Sequence, residues 1–142
     1  MKQFFAAAVL VAGYAFSLPA FAAGAIAVGE PADVAKEGYS SGIAYGFKSA
    51  TEAEDRALQE CRTSEDATPQ TRALCKLVNS FSNQCVVVAL DPEAGTPGAG
   101  WAVAETLASA RQNALQRCQE TAGVARRGEC RVTAEGCDGK AK

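Results

Sequence analysis

The sequence predicts an α+β fold made of a duplicated strand-strand-helix-strand unit, with a largely antiparallel sheet, two helices on one face of it, and disulfide staples. Three observations predict this. The segment from Gly42 to Cys61 resembles the segment from Gly100 to Cys118, and both end in Ala-Leu-Gln-x-Cys. Strand patterns are interrupted by single helical patterns, which is typical of the α+β class. The chain has six cysteines, and an even number in a short chain is typical of a disulfide framework.

The N-terminal residues 1–22 have the pattern of a secretory signal peptide. Lys2 gives a positive start, an apolar run follows from Phe4 to Leu18, and Ala20-Phe21-Ala22 offers small residues at the cleavage site. The apolar run is about 15 residues long, shorter than the roughly 20 that span a membrane. We therefore expect cleavage after Ala22 and one domain over residues 23–142. A buried N-terminal helix or an uncleaved anchor is the alternative. No lipid anchor is expected, because the first cysteine is Cys61.

The two repeats cover about residues 24–80 and 84–137, and each contains one predicted amphipathic helix. The apolar positions of the first helix fall at i, i+3, i+7, i+8 and i+11, and the second helix repeats this spacing. Ser49 followed by Glu52 has the spacing of a capping box, and Thr106 takes the equivalent position. The two apolar stripes consist of Ala50, Ala53, Ala57, Leu58 and Cys61, and of Leu107, Ala110, Ala114, Leu115 and Cys118.

The rest of each unit is predicted to form strands and loops. Strands are expected at residues 25–28, 40–47, 74–81, 85–90, 100–104 and 130–134. Ser82-Asn83-Gln84 is short and polar enough for a hairpin turn between two of these strands. Segment 91–100 is a predicted loop because of its Pro and Gly residues, and segment 62–72, which contains Pro69, is another. The repeat aligns residues 25–28 with residues 86–89.

The six cysteines are expected to form disulfides and not a metal site. The chain has no histidine and no C-x-x-C, and its cysteine spacings of 14, 10, 33, 12 and 7 do not match zinc sites. Equivalent positions in the two units favour the set Cys61–Cys75, Cys118–Cys130 and Cys85–Cys137. Each of the first two bonds would close a loop of about 15 residues, worth roughly 3 kcal/mol in the loop-entropy model. A second symmetric set stays open, namely Cys75–Cys85, Cys130–Cys137 and Cys61–Cys118.

Several motifs carry a resemblance to a known family. They are Gly24-Ala-Ile-Ala-Val, Gly42-Ile-Ala-Tyr-Gly, the Ala-x-x-x-Ala-Leu-x-x-Cys that ends at Cys61, Cys75-Lys-Leu-Val, Asn83-Gln-Cys-Val-Val-Val-Ala, Cys130-Arg-Val and Cys137. With these motifs the chain resembles the exported bacterial family catalogued as domain of unknown function 4189. Ala23 is a departure, since such sequences often carry an aromatic residue before the first Gly-Ala. The resemblance implies export and the duplicated fold, and it assigns no catalytic residue.

The charge of the chain argues against some classes of partner. Without Lys2, the 14 basic residues become 13 against 16 acidic residues, a net charge of −3. Nucleic acids and anionic lipids need a concentrated positive surface, so we expect neither as a partner and no stable membrane anchor. Arg126, Arg127 and Arg131 form a basic cluster, which we interpret as a solvated rim.

The sequence shows no recognised catalytic site. Without histidine there is no Ser-His-Asp or Cys-His arrangement. Asp91 and Glu93 supply two nearby carboxylates, as a glycosidase needs, but acidic residues in a Pro/Gly-rich loop are normally just solvated. We predict no catalytic residue, no cofactor and no metal ligand.

Aromatic residues also have two interpretations. Tyr39, Tyr45, Phe47 and Trp101 could form an aromatic binding face. Strand aromatics more often pack in the core or across strands, and we favour that interpretation.

We therefore expect an exported protein-binding domain of the inhibitor, immunity or effector type, periplasmic or secreted, without catalytic activity. Its partner would be a protein of the envelope or the exterior. Loops 91–100 and 62–72 are the expected contact surface, with Asp91, Glu93, Thr96 and Trp101 as contact residues.

Two alternatives remain: a small carboxylate-dependent hydrolase and a passive structural envelope protein. An exposed aromatic patch would favour binding, a carboxylate-lined cleft would favour catalysis, and a uniformly polar surface would favour the structural role.

Overall fold

A computed structural model describes residues 22–142 of the chain. Except for Ala22, the predicted signal peptide lies outside the described residues. The elements are β1 (Ala23–Gly29), α1 (Val34–Glu37), β2 (Ser40–Phe47), α2 (Ala50–Thr63), α3 (Pro69–Ala73), β3 (Lys76–Phe81), β4 (Cys85–Leu90), β5 (Ala99–Ala104), α4 (Leu107–Ala122) and β6 (Arg131–Cys137). A 3₁₀ turn at Arg127–Glu129 precedes β6. Within residues 22–142, no helix has both the length and the apolar character needed to cross a membrane.

The six strands form two antiparallel sheets, with the orders β2-β1-β3 and β5-β4-β6. Helix α2 packs on one face of the first sheet, and α4 packs on one face of the second. The remaining two faces pack against each other, so the layers run helix, sheet, sheet, helix. The α+β class and the repeated strand-strand-helix-strand unit are confirmed. The strands, however, divide into two sheets, each with its own helix, and do not form one sheet carrying both helices on a single face.

The central strands explain this division, because both of their faces are apolar. In β1, Ala25 and Ala27 face α2, whereas Ile26 and Val28 face the second sheet. Strand β4 repeats the pattern and is buried along nearly its whole length. A strand buried on both faces is a near-continuous apolar run. One sheet with helices on one face would leave the face of Ile26 and Val28 in water, and the second sheet covers it.

Two glycines allow the helices to lie close to the sheets. A Cβ at Gly42 would lie 2.1 Å from the carbonyl oxygen of Ala57 in α2. A Cβ at Gly100 would lie 2.6 Å from the carbonyl oxygen of Ala114 in α4. Glycine is therefore required at this position of both units for the helix backbone to approach.

The same glycines fix how the two units correspond. Gly42 pairs with Ala27 of β1, and Gly100 pairs with Ala89 of β4. Residues 25–28 thus correspond to residues 87–90, and the predicted alignment with residues 86–89 was wrong by one position. In a strand, such a shift exchanges the helix-facing residues for those that face the other sheet.

Ser49 and Thr106 cap the N-termini of the two long helices, as the sequence predicts. The hydroxyl of Ser49 accepts the N–H of Glu52 at 3.3 Å, and that of Thr106 accepts the N–H of Ser109 at 3.2 Å. Segment 62–72, which was predicted to be a loop, contains the start of α3. Pro69 occupies the start of α3, where its missing N–H costs no hydrogen bond.

The predicted hairpin at residues 82–84 is wrong, since β3 and β4 belong to different sheets. Strand β4 is bordered by β5 and β6, so neither of its edges is left for β3. The connection carries the chain from one sheet to the other, and Asn83 has a left-handed backbone there (φ 52°). Strand β3 also begins later than predicted, at Lys76, because Leu74 ends α3.

Three disulfides staple the two units, and no cysteine among residues 22–142 is free. The pairs are Cys61–Cys75, Cys118–Cys130 and Cys85–Cys137, which is the set that the equivalence of the repeats favours. The first two join the C-terminal part of each long helix to the residue before the third strand of its unit. The last joins paired positions of β4 and β6.

Candidate functional site

The two loops singled out by the sequence meet at one end of the sandwich. They line a cleft of about 700 Å³ together with residues 34–41 and 133–134. Backbone hydrogen bonds join two of its walls. The N–H of Thr68 donates to the carbonyl of Glu37 at 3.2 Å, and Gly38 forms an isolated bridge with Ala67. Residues 90–98 from the second unit form the opposite wall. The cleft therefore depends on the packing of both units.

This acidic cleft holds the excess negative charge of the domain. It is lined by one lysine, Lys36, and five carboxylates, namely Glu37, Glu65, Asp66, Asp91 and Glu93. With the one arginine that pairs with two of them, the formal charge is −3. Residues 22–142 carry 13 basic and 16 acidic side chains, so the charges elsewhere balance. Grouped charge of one sign in a concave surface attracts ligands of the opposite sign.

An ion pair anchors the 90–98 wall. The carboxylate of Asp91 is fully buried and lies 2.5 and 2.9 Å from two guanidinium nitrogens of Arg126. The hydrogen bonds from Arg126 lower the pKa of Asp91 to about 2, although burial acts in the opposite direction. Arg126 also lies 2.8 Å from a carboxylate oxygen of Glu93. One arginine thus joins this loop to the turn that follows α4.

Hydrogen bonds within the loop complete its shape. The carboxylate of Asp91 accepts the N–H of Glu93 at 3.1 Å, and the hydroxyl of Thr96 donates to the carbonyl of Glu93 at 2.6 Å. The N–H of Asp91 donates to the carbonyl of Gly98 at 2.9 Å. A loop held in this way has less conformational entropy to lose when a ligand binds.

The predicted contact residues have different positions. Asp91, Glu93 and Thr96 line the cleft. Asp91 is buried, so it shapes the wall without offering a surface for contact. Trp101 does not line the cleft, because it packs against the core between the sheets, with the guanidinium of Arg117 5.3 Å from its ring centroid.

The aromatic residues do not gather into one binding face. Tyr39 is buried, Phe47 and Trp101 are partly buried, and Tyr45 is 44% exposed. Burial raises the pKa of Tyr39, whose hydroxyl has no hydrogen-bond partner among the described residues.

The sequence did not single out the carboxylates of the facing walls, Glu37, Glu65 and Asp66. Glu65 and Asp66 lie inside a predicted contact loop, which was the available signal. The proximity of Glu37 to residues 90–98 follows from how the sheets pack and has no local signature.

A second depression continues from the cleft along β2 and β6, the two edge strands that lie side by side. This edge groove, of about 570 Å³, is lined by Ile43, Ala44, Tyr45, Phe47, Arg56, Glu60, Thr133, Ala134 and Glu135. Thr133 and Ala134 also line the acidic cleft, so the two depressions adjoin at these residues.

Ion pairs border the edge groove. Arg56 lies 2.8 Å from Glu60, and Arg111 donates to both carboxylate oxygens of Glu135. The hydrogen bonds from Arg111 lower the pKa of Glu135. Among residues 22–142, no three acidic or cysteine side chains converge as a metal site requires. The carboxylates are spread along the depression and do not focus on one point.

The family model described as Domain of unknown function (DUF4189) matches residues 23–137. No curated protein and no solved structure matches the chain significantly.

Proposed function

The chain belongs to the DUF4189 family, and we propose that it is an exported domain that binds a positively charged segment of a protein partner in its acidic cleft. The observation that carries the proposal is that loops from both units surround one cleft, and that this cleft holds the net negative charge of the domain. Complementary charge raises the rate of encounter and selects partners of the opposite sign.

Export agrees with the covalent structure. Disulfides persist in oxidising compartments such as the periplasm and the exterior, and they are rare in the cytosol. Three of them staple a domain of this size. The pattern of residues 1–22 supports the same localisation. Inhibitors, immunity proteins and effectors act in these compartments and rely on rigid recognition loops, so we place the protein among these types.

The rigidity of the cleft also supports binding. Residues 90–98 are fixed by Arg126 and by their own hydrogen bonds, while Glu65, Asp66 and Glu93 remain exposed. A preformed wall with exposed charges suits recognition by docking. The spread of its carboxylates suits a segment with several basic residues better than a single ion.

A carboxylate-dependent hydrolase is the second candidate, because a carboxylate-lined cleft is the feature that favours it. A general acid, however, needs a pKa near the working pH. Asp91 has its pKa lowered to about 2 by Arg126, so it stays ionised and donates no proton at neutral pH. This favours a constant electrostatic role for Asp91 and leaves it no role as a general acid.

The proposal is tested with oxidised protein of residues 23–142 as bait for envelope and culture-supernatant fractions, with captured proteins identified by mass spectrometry. We expect a saturable partner. Replacing residues 93–97 with a short Gly-Ser turn should abolish its capture without unfolding the domain. Glu65→Gln with Asp66→Asn should weaken capture because it removes two cleft charges.

The matched control is Glu105→Gln with Glu120→Gln, which changes the net charge equally at exposed residues outside the cleft. Equal capture by the cleft variant and the control would contradict the proposal. Turnover of peptidoglycan or casein by the purified protein would instead support the hydrolase.

A further inference from the structure

We propose that the partner segment binds in an extended conformation, as a strand added to the free edge of β2; this inference rests on the proposed function and specifies how that site works. It comes from a difference between the two units at equivalent positions. In one unit the edge strand is closed by helix side chains, and in the other it is open and faces the depression described above.

The closed edge is that of β5. The guanidinium of Arg117 donates to the carbonyl of Trp101 at 2.8 Å. The hydroxyl of Thr121 accepts the N–H of Ala99 and donates to its carbonyl, both at 2.9 Å. Side chains of α4 thus occupy outward-facing backbone groups of β5. Unpaired edge groups are a template for another strand, and proteins commonly cover them in this way.

The equivalent edge of β2 is open at Ser41 and Ile43, and only further along does the N–H of Gly46 donate to Asp138, at 2.9 Å. Counted from the helix-facing glycine of each strand, Ser41 and Ile43 hold the positions that Ala99 and Trp101 hold in β5. Their backbone groups therefore also point away from the central strand. Among the described residues, no side chain bonds to the backbone of Ser41 or Ile43. Residues 40–44 keep an unbroken register with β1, so the open edge is regular.

Glu60 is one reason that this edge stays open. A Cβ at Gly42 would lie 2.8 Å from the Cβ of Glu60, and a Cβ at Gly100 would lie 2.7 Å from that of Arg117. Glu60 and Arg117 are therefore equivalent residues of the two helices. A carboxylate has no N–H to donate to a strand carbonyl, and Glu60 accepts a hydrogen bond from Arg56 instead.

The open edge of β2 borders both the acidic cleft and the edge groove. Ser41 lines the acidic cleft, and Ile43 and Ala44 line the edge groove. An added strand of five residues would extend about 17 Å at roughly 3.3 Å per residue. One end of the segment would enter the acidic cleft, and the other would lie beside the exposed ring of Tyr45.

Charge identifies the occupant. The residues that line the cleft and groove, counted with the arginines that pair with them, comprise seven acidic and four basic side chains, a formal charge of −3. Successive residues of a strand point to opposite sides. The segment that fits is therefore an extended polypeptide in which basic residues alternate with apolar or small ones. In such an arrangement, backbone hydrogen bonds give affinity and alternate side chains give specificity.

The test uses the peptide Lys-Val-Lys-Thr-Lys-Val-Lys with oxidised protein of residues 23–142. Saturable binding is expected in fluorescence anisotropy, together with slower hydrogen exchange at the amides of Ser41 and Ile43. The same peptide methylated on alternate backbone nitrogens keeps its charge and loses its strand hydrogen bonds. It should bind at least tenfold more weakly, since several backbone hydrogen bonds are removed together. Equal binding of both peptides would overturn strand addition.

A variant copies the closed edge into the first unit. Glu60→Arg places a guanidinium where Arg117 stands in the second unit, and it should reduce peptide binding about tenfold or more by occupying the carbonyl of Ile43. The matched control is Asp55→Arg, the same charge reversal at an exposed position of α2 that lines neither depression. Thermal unfolding establishes that both variants are folded.

The two variants should differ in peptide binding, and equal losses would overturn the inference. If partner capture is sensitive to the change at Glu65 and Asp66 but unaffected by Glu60→Arg, the proposed function stands and strand addition is wrong. If capture is insensitive to both changes, the proposed function itself fails.

Discussion

The guanidinium of Arg126 lies 2.5 Å from the buried carboxylate of Asp91 and 2.8 Å from the exposed carboxylate of Glu93. Arg126 belongs to the turn between α4 and β6, whereas the two acids belong to the connection between β4 and β5. The ion pair between Arg126 and Asp91 therefore fixes one wall of the acidic cleft to the helix layer. The carboxylate of Glu93 remains exposed to solvent beside Arg126, where a partner can contact it.

The ion pair predicts how stability responds to acid. The pKa of Asp91 is lowered from 3.8 to about 2 in the folded protein. A lowered folded pKa stabilises the protein above the unfolded value, and this stabilisation is lost as the pH falls toward the folded value. The melting temperature of the wild type should therefore fall between pH 4 and pH 2 more than that of Asp91→Asn, in which this group does not titrate. A gap between the two proteins that stays constant over this range would contradict the prediction.

Adding one methyl group at either glycine beneath a long helix is expected to destabilise the fold. Gly42→Ala and Gly100→Ala should each lower the free energy of unfolding by about 1–3 kcal/mol, since overpacked cores lose about that much. The control is Gly128→Ala, because a Cβ at Gly128 meets nothing within 4 Å. Urea unfolding measures all three. If Gly42→Ala were as stable as the control, α2 would not lie this close to β2.

The equivalent disulfides predict equivalent stabilisation. Cys61–Cys75 and Cys118–Cys130 span 14 and 12 residues, and each joins a long helix to the third strand of its unit. Replacing both cysteines of either pair by serine should cost about 3 kcal/mol of unfolding free energy. Guanidinium unfolding of the two double variants checks this. A cost several times larger in one unit would show that the two bonds do different structural work.

The edge strands predict a gain of binding. Arg117→Glu combined with Thr121→Ala should open the edge of β5 and give a second, weaker site for the peptide Lys-Val-Lys-Thr-Lys-Val-Lys, since it removes the side-chain groups bonded to the backbone of Trp101 and Ala99. Calorimetric titration should then give a higher stoichiometry than in the wild type. The same stoichiometry in both proteins would show that these two side chains do not close this edge.

Much of the fold could be predicted because its signals are local. The stripes that include Ala57 and Ala114 identify the two long helices, and the hydroxyls of Ser49 and Thr106 mark where they begin. Helices α1 and α3 were missed because so few residues show no periodicity. Their caps were the usable signals: Asp33 accepts the N–H of Lys36, and Thr68 precedes Pro69. The signal peptide stays a prediction.

The division into two sheets could not be predicted from local patterns. Phe81 and Cys85 are close enough in sequence for a hairpin, and only the competition among strands for the edges of β4 excludes one. The candidate site also depends on how the two sheets pack, so local patterns could not predict all of it. Asp91 and Glu93 could be chosen by loop composition, whereas Glu37 joins them only because the two sheets stack. Trp101 lies apart from these residues because its strand position turns its ring toward the core between the sheets.

The most direct test of the acidic cleft is a nuclear magnetic resonance titration of isotope-labelled protein of residues 23–142 with the peptide Lys-Val-Lys-Thr-Lys-Val-Lys. Saturable shift changes are expected at the amides of Glu65, Asp66 and Thr96. These changes should weaken as salt shortens the screening length to about 8 Å at 0.15 M. Shift changes centred away from these residues, or none at low salt, would contradict a binding site for positively charged segments in this cleft.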